Sequence, residues 1–252
     1  MASEDKTNSM IGGKYIIRNK IGEGGMGVVY EGEHAGMGRR VAIKMLHGFL
    51  LSNEDVVKRF YREARAAAAI AHRNIIDVLD VGVTESGEPY LVMEFLEGKG
   101  LAALLETRPR LELAVACAIM EPCLVGLQAA HEKGIVHRDL KPDNIFITLP
   151  PGLSPEIKLI DFGISKFQDT GQTKLTVQGT TMGTPAYMSP EQARGAADVN
   201  HLSDIYAMGV ILYEMLAGDM PYAGENYNEL LFSILTQRSE EHTSELQSPN
   251  TI

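Results

Sequence analysis

Over the first hundred residues the apolar positions fall mostly in short, β-branched runs. "KYIIRNKIGEGGMGVVYEGEH" reads as two β-rich runs joined by a glycine-rich turn, and "RRVAIKML" as a third strand. In "SNEDVVKRFYREARAAAAIAH" the period changes. Val56, Phe60 and Ala67 recur at spacings of four and seven, which predicts a helix. Ser52 is its expected cap, with Glu54 and Asp55 favourable in the first turn. The β pattern returns in "IIDVLDVGV" and "PYLVMEFLEG".

From Leu101 the pattern turns mostly helical. "LELAVACAIMEPCLVGLQAAHEKG" predicts a long amphipathic helix, bent at Pro122 because a mid-helix proline costs about 3 kcal/mol unless a kink accommodates it. "IFIT" and "IKLIDFG" predict short strands. "SDIYAMGVILYEMLAGDMPY" is apolar nearly all round and predicts a buried helix, and "ENYNELLFSIL" predicts one more. The expected architecture is α+β in two lobes: a polar extension over 1–11, a β-rich lobe over 12–96 with one helix, and a helical lobe over 97–237. After Gln237 the pattern stops.

Composition changes this picture little. Of 252 residues, 44% are hydrophobic, enough for a real core, and 22% are charged. The formal net charge of -10 argues against a general affinity for nucleic acid or an anionic membrane. No run of about 18 apolar residues marks a membrane span, and "MASEDKTNSM" does not read as a signal peptide. Cys117 and Cys123 lie six apart on one helical pattern, so they point to different faces and do not bridge. A reducing, cytoplasmic setting is the simplest reading.

Three stretches carry candidate chemistry. Gly22, Gly24 and Gly27 have G-x-G-x-x-G spacing, but a strand-like segment follows, where a dinucleotide site needs a helix. The loop therefore closes a hairpin whose N–H groups can cover phosphates. In "VAIK", Val41 and Ile43 share one strand face while Ala42 and Lys44 share the other. Glu63 sits on the apolar stripe of the first helix, where a carboxylate is costly unless paired, and Lys44 is its natural partner. "HRDLKPDN", His137 to Asn144, packs polar groups into one loop between apolar elements. Asp161, in "DFG", follows 17 residues later. The oxygens of Asn144 and Asp161 suit a hard cation, and Asp139 suits a base toward a hydroxyl.

With these motifs together the chain resembles a eukaryotic-type protein kinase over about residues 12–237, and most of all the bacterial Ser/Thr kinases, given "HRDLKPDN" and "GTPAYMSPEQ". The resemblance implies the bilobal kinase fold, ATP as substrate, and Mg²⁺ as cofactor, with Mn²⁺ as a substitute. It implies that Ile21, Gly22, Gly24, Gly27 and Val29 cover the nucleotide. Lys44 would hold its α/β-phosphates and pair with Glu63. Ala42, Val29 and Phe146 would sandwich the adenine, Met93 would be the gatekeeper, and the Glu94–Leu96 backbone would bind the base. Asp139 would be the catalytic base, Lys141 would steady the γ-phosphate, and Asn144 and Asp161 would bind the metal. His137 and Phe162 would stack in the regulatory spine, anchored by Asp204.

Lys141 and Thr184 match the pattern of Ser/Thr kinases rather than tyrosine kinases. Ser189, in "MSPE", stands where the family carries Ala, and is a mild departure. Arg138 implies regulation by a phosphorylated activation segment, with Thr180 or Thr181 favoured, then Thr176, and Thr173 also present. Protein substrates and a homodimer for trans-autophosphorylation are the expected partners. Relatives of this kind often carry a membrane anchor beyond the kinase domain. Competing readings are a nucleotide-binding scaffold, which has no need of Lys44, Asp139 and Asp161 together, and a dinucleotide-dependent oxidoreductase. "RSEEHTSELQS", Arg238 to Ser248, looks like the translation of a short sequencing adapter. Native sequence is therefore expected to end near Gln237, which leaves Glu191 without the Arg that the family pairs with it.

Overall fold

The computed structural model describes residues 6–149, 154–162, 185–195 and 199–236. The small lobe is a six-stranded antiparallel sheet. Its strands are β1 (Met10–Ile11), β2 (Tyr15–Glu23), β3 (Gly27–His34), β4 (Arg39–Leu46), β5 (Val78–Val83) and β6 (Pro89–Glu94), in the order β1-β2-β3-β4-β6-β5. The lobe begins earlier than position 12. Met10 pairs with Ile16 and Ile11 with Tyr15, so the polar extension supplies an edge strand.

The period-two reading of β4 holds. Val41 and Ile43 enter a core on one sheet face with Ile17, Tyr30 and Val92. Ala42 enters a second core on the other face with Phe60, Ala64, Leu91 and Met93. That second core is roofed by helix α1 (Glu54–Ala69). Its cap is Asn53, not Ser52. The Asn53 side chain accepts from the N–H groups of Asp55 and Val56, because only the residue directly preceding the first turn reaches those donors.

The large lobe is built on helix α3 (Leu113–His131), a single helix with Pro122 inside it. By mean hydropathy, 1.7, and length it is apolar enough to cross a membrane, which the run-length criterion missed because Glu121 interrupts the apolar run. Here its residues Ala116, Ile119, Cys123, Leu127 and Ala130 form the large-lobe core with Met208, Ile211 and Met215. Both cysteines are free; burial pushes the Cys123 thiol up to about 12. Around α3 stand β7 (Gly98–Gly100), helix α2 (Leu101–Thr107), β8 (Ile145–Thr148) and β9 (Glu156–Leu159), the strands forming a sheet in the order β7-β8-β9. Among the described residues three more helices follow: α4 (Pro190–Ala193), α5 (His201–Ala217) and α6 (Tyr227–Thr236).

Helix α5 corrects the expectation of burial all round. Asp204, Met208 and Ile211 are buried, while Leu202 is 59% and Ile205 45% exposed. It is capped by the Asn200 side chain and ends at Gly218, whose φ of 75° is the left-handed C-terminal geometry glycine favours.

Strand β9 joins the lobes. Leu159 N–H donates to the Asn74 carbonyl at 2.8 Å, and Ile76 N–H donates to the Leu159 carbonyl at 3.0 Å. One residue earlier, buried Lys158 donates to Glu94 at the end of β6; that carboxylate also accepts from Asp77 N–H at 2.9 Å.

Candidate active site

The glycine-rich turn links β2 to β3. Gly24 and Gly27 hydrogen-bond each other in both directions, at 2.9 and 3.3 Å, closing a tight loop around Gly25 and Met26. The three motif glycines are there for different reasons. A Cβ on Gly27 would lie 2.0 Å from the Met45 carbonyl oxygen, so the fold itself demands glycine there. A Cβ on Gly24 would meet nothing within 4 Å, and one on Gly22 would meet only Val29 at 3.8 Å. Packing does not require those two. Ile21, beside them, is exposed.

Lys44 leaves β4 on the α1 side and reaches Asp161, Nζ to Oδ1 2.6 Å. Asp161 has a φ of 55°, a left-handed geometry that turns its carboxylate to the lysine, while Glu63 acts on Lys44 as a nearby negative charge. Burial opposes the charge on Lys44, but Asp161, Glu63 and Asp139 outweigh it and hold the ammonium above its ordinary pKa. Burial likewise works against charge on Asp161, and Lys44 and, less, Lys141 outweigh it, holding the carboxyl low. The Asp161 side chain remains 40% exposed, so water screens part of this attraction.

These groups open on a cleft of about 340 Å³ lined by Lys44, Glu63, Leu91, Met93, Asp161 and Phe162, among others. Met93 stands opposite Ala42 across the β4–β6 ladder. Val29 and Leu96 are partly buried against the same cluster as Ala42 and Met93. Phe146, half-buried on β8, follows Asn144 by two residues.

The loop after α3 is held from below by Asp204, 1% exposed. It accepts from His137 N–H and Arg138 N–H and from the His131 ring, each at 2.8 Å. His137 is wholly buried, packed on Phe162 with ring centroids 4.5 Å apart. Burial lowers its pKa against the pull of Asp204, and the neutral ring bonds both ways: Nδ1 accepts from Asp139 N–H, so Nε2 donates to the Ile160 carbonyl. Arg138, with φ 66°, is the second left-handed non-glycine residue in the site. Such geometry costs roughly 1–3 kcal/mol at each position and persists where its surroundings over-determine it.

Asn144 donates from Nδ2 to the Asp139 carbonyl at 2.7 Å, which fixes its amide and leaves Oδ1 as an acceptor. Asp139, Lys141 and Arg138 also line a second opening of about 380 Å³ with Tyr187, Gln192 and Asp204. Ser189 proves more than a mild departure. Its hydroxyl caps α4 in a reciprocal box with Gln192 and bonds Ser203, and Gln192 donates to the Arg138 carbonyl at 2.9 Å. Ser203 in turn donates to Glu191. The S-x-x-Q spacing was the available signal for this box. Thr173, Thr176, Thr180, Thr181, Thr184 and the segment after Thr236 lie outside the described residues.

A glycine hairpin, a lysine–aspartate ion pair, and an aspartate and an asparagine hydrogen-bonded to each other on one loop make up the candidate site. Comparison with known proteins gives its family. The protein kinase domain family matches residues 15–251. The chain is 46% identical over 213 residues to the serine/threonine-protein kinase Pkn1 of Myxococcus xanthus, covering 84% of this chain and 30% of that protein. It is 41% identical over 219 residues to the serine/threonine-protein kinase PknA of Mycobacterium tuberculosis, covering 85% and 49%. The crystal structure of the M. tuberculosis PknI kinase domain superposes with a TM-score of 0.68 at 27% identity, covering 88% of this chain and 79% of that one. The chain belongs to the protein kinase domain family. It spans 26–41% of the length of the first three curated relatives it matches.

Proposed function

We propose that this chain is the catalytic domain of a serine/threonine-protein kinase, transferring the γ-phosphoryl group of ATP to protein hydroxyls. The observation that carries it is the Lys44–Asp161 contact at 2.6 Å, with Asp139 near enough for its charge to act on Lys44 and Asn144 hydrogen-bonded to Asp139. Ser/Thr specificity rests on Lys141 and Thr184 and on the curated relatives. In this reading Lys44 meets the α/β-phosphates and Glu63 supports its charge. Ile21, Gly22, Gly24, Gly27 and Val29 cover the nucleotide. Ala42, Met93, Phe146 and the Glu94–Leu96 backbone receive the base.

The donors fit a hard cation. The Asp161 carboxylate and the Asn144 Oδ1 offer two oxygens, and no cluster of three His, Cys, Asp or Glu stands ready among the described residues. A cation held this way takes its other ligands from phosphates and water, which suits Mg²⁺, with Mn²⁺ as a substitute. Such a cation neutralises phosphate charge. Asp139 accepts the proton as the substrate oxygen bonds to the γ-phosphorus and the bond to the ADP oxygen breaks; Lys141 steadies the moving group. Arg138 would read an activation-segment phosphate on Thr180, Thr181 or Thr176, added in trans within a homodimer. The parent protein would hold this domain on the cytoplasmic side, through a membrane anchor lying beyond the kinase domain.

The test is incubation with Mg-ATP and a generic basic protein, followed by phosphosite mapping. Ser and Thr phosphate should appear, and Lys44→Met or Asp161→Ala should abolish it with the fold retained. Wild-type activity in Asp161→Ala would sink the metal assignment, and predominant phosphotyrosine would sink the specificity.

A further inference from the structure

The tip of the glycine-rich loop has little packing of its own. Met26 packs partly on the small-lobe core, but Gly24 and Gly25 are exposed and present no side chain. The β3–β4 ladder stops at the pair Gly27–Leu46. The next residue, His47, takes over. Its N–H donates to the Met26 carbonyl at 3.1 Å. Its ring Nε2 lies 2.9 Å from the Gly24 carbonyl oxygen, an acceptor, so Nε2 carries the proton and donates. Phe49 stacks on the ring, with centroids 5.1 Å apart and planes 18° apart, and Glu23 stands 3.8 Å from Nε2. The imidazole is thus clamped on one face and aimed at the loop tip. Gly24 N–H is already spent on Gly27. Gly25 and Met26 N–H make no hydrogen bond among the described residues and are the ones left for an anion.

We propose that His47 is a positioning residue for ATP: by holding the Gly24 carbonyl it fixes the loop so that the Gly25 and Met26 N–H groups face the nucleotide's phosphates. This rests on the reading of the loop as a phosphate cover. The bond acts on the loop tip, whereas the residues read as base contacts, Val29, Ala42, Met93, Phe146 and the Glu94–Leu96 backbone, lie outside that tip. His47 is the one side chain that removes this hold without touching the ladder, since its backbone bond to Met26 survives any substitution. Glutamine places an N–H donor near the position of Nε2 and should restore the hold.

The experiment is calorimetric titration of wild type, His47→Ala and His47→Gln with a non-hydrolysable ATP analogue plus Mg²⁺, and separately with adenosine. Loss of one neutral hydrogen bond predicts an ATP-analogue Kd raised about twofold to tenfold in His47→Ala, adenosine unchanged, and near-wild-type binding in His47→Gln. Hydrogen exchange at Gly24 and Gly27, whose N–H groups are bonded across the loop, should quicken in the ligand-free His47→Ala protein and not in His47→Gln. Unchanged analogue affinity in His47→Ala, equal weakening for adenosine, or a His47→Gln variant as weak as His47→Ala would each overturn the proposal. If wild type binds neither ligand, the nucleotide-site reading itself fails, a result distinct from those three.

Discussion

Two glycines three positions apart separate fold from function. Gly27→Ala drives a methyl into the Met45 carbonyl, 2.0 Å away, and the ladder must part. The expected cost is on the order of 2 kcal/mol or more, read as a lower melting temperature. Gly24→Ala meets open space and should change stability by less than about 0.5 kcal/mol. Equal melting shifts in the two variants would contradict this. The sequence displays both glycines identically, because spacing carries no information on what backs each one. The same limit hid one partner of Lys44. A stripe position required that Glu63 be compensated, but that Asp161 also reaches Lys44 goes with a left-handed φ that no local pattern encodes. "HRDLKPDN" was legible because its members are contiguous and must share a loop whatever the rest does. The Lys44–Asp161 pair also fixes a pH response. Asp161 is held below its usual value near 3.9, so its stabilisation is present above that value and lost as pH falls through the lowered one. Lys44 is held above 10.4, so its share is intact below that and lost as pH rises further. Between roughly pH 5 and 9 the pair does not titrate. Carbon-detected NMR should show the Asp161 carboxyl titrating at higher pH in Lys44→Met than in wild type; identical midpoints would refute the pairing.

At the scale of elements, strand faces were readable and helix ends less so. β4 sorted Val41 and Ile43 from Ala42 and Lys44 because a period of two admits one answer. The start of α1 offered two adjacent residues able to cap, and only backbone geometry at Asn53 decides between them. Asn53→Ala should therefore cost about 1 kcal/mol in denaturant unfolding, and Ser52→Ala almost nothing. The reverse order would place the cap at Ser52. α1 is also tied at its other end, where Lys133 at the close of α3 donates to the Ala69 carbonyl. The helix that carries Glu63 is thereby fixed to both lobes.

Across the whole molecule, apolar surface is unevenly distributed. On the large lobe Leu113 is 64%, Leu202 59% and Phe232 68% exposed, on α3, α5 and α6. Uniform apolarity in the sequence of α5 announced burial on all sides, but period alone cannot tell which neighbours are present to bury it. Exposed surface of this kind associates. Light scattering of the 252-residue chain should rise steeply with concentration, and Leu202→Gln combined with Phe232→Ser should lower it. A monodisperse monomer at high concentration would contradict this expectation.

Strand β9 has a mechanical consequence. The chain crosses between lobes after Glu94, and β9 makes a second attachment through Asn74, Ile76 and the Lys158–Glu94 pair. The small lobe is therefore held to the large one at several points and free at the rim, where its glycine hairpin lies. Any movement between the lobes has its smallest amplitude near Leu159, two residues before Asp161, and its largest at the hairpin.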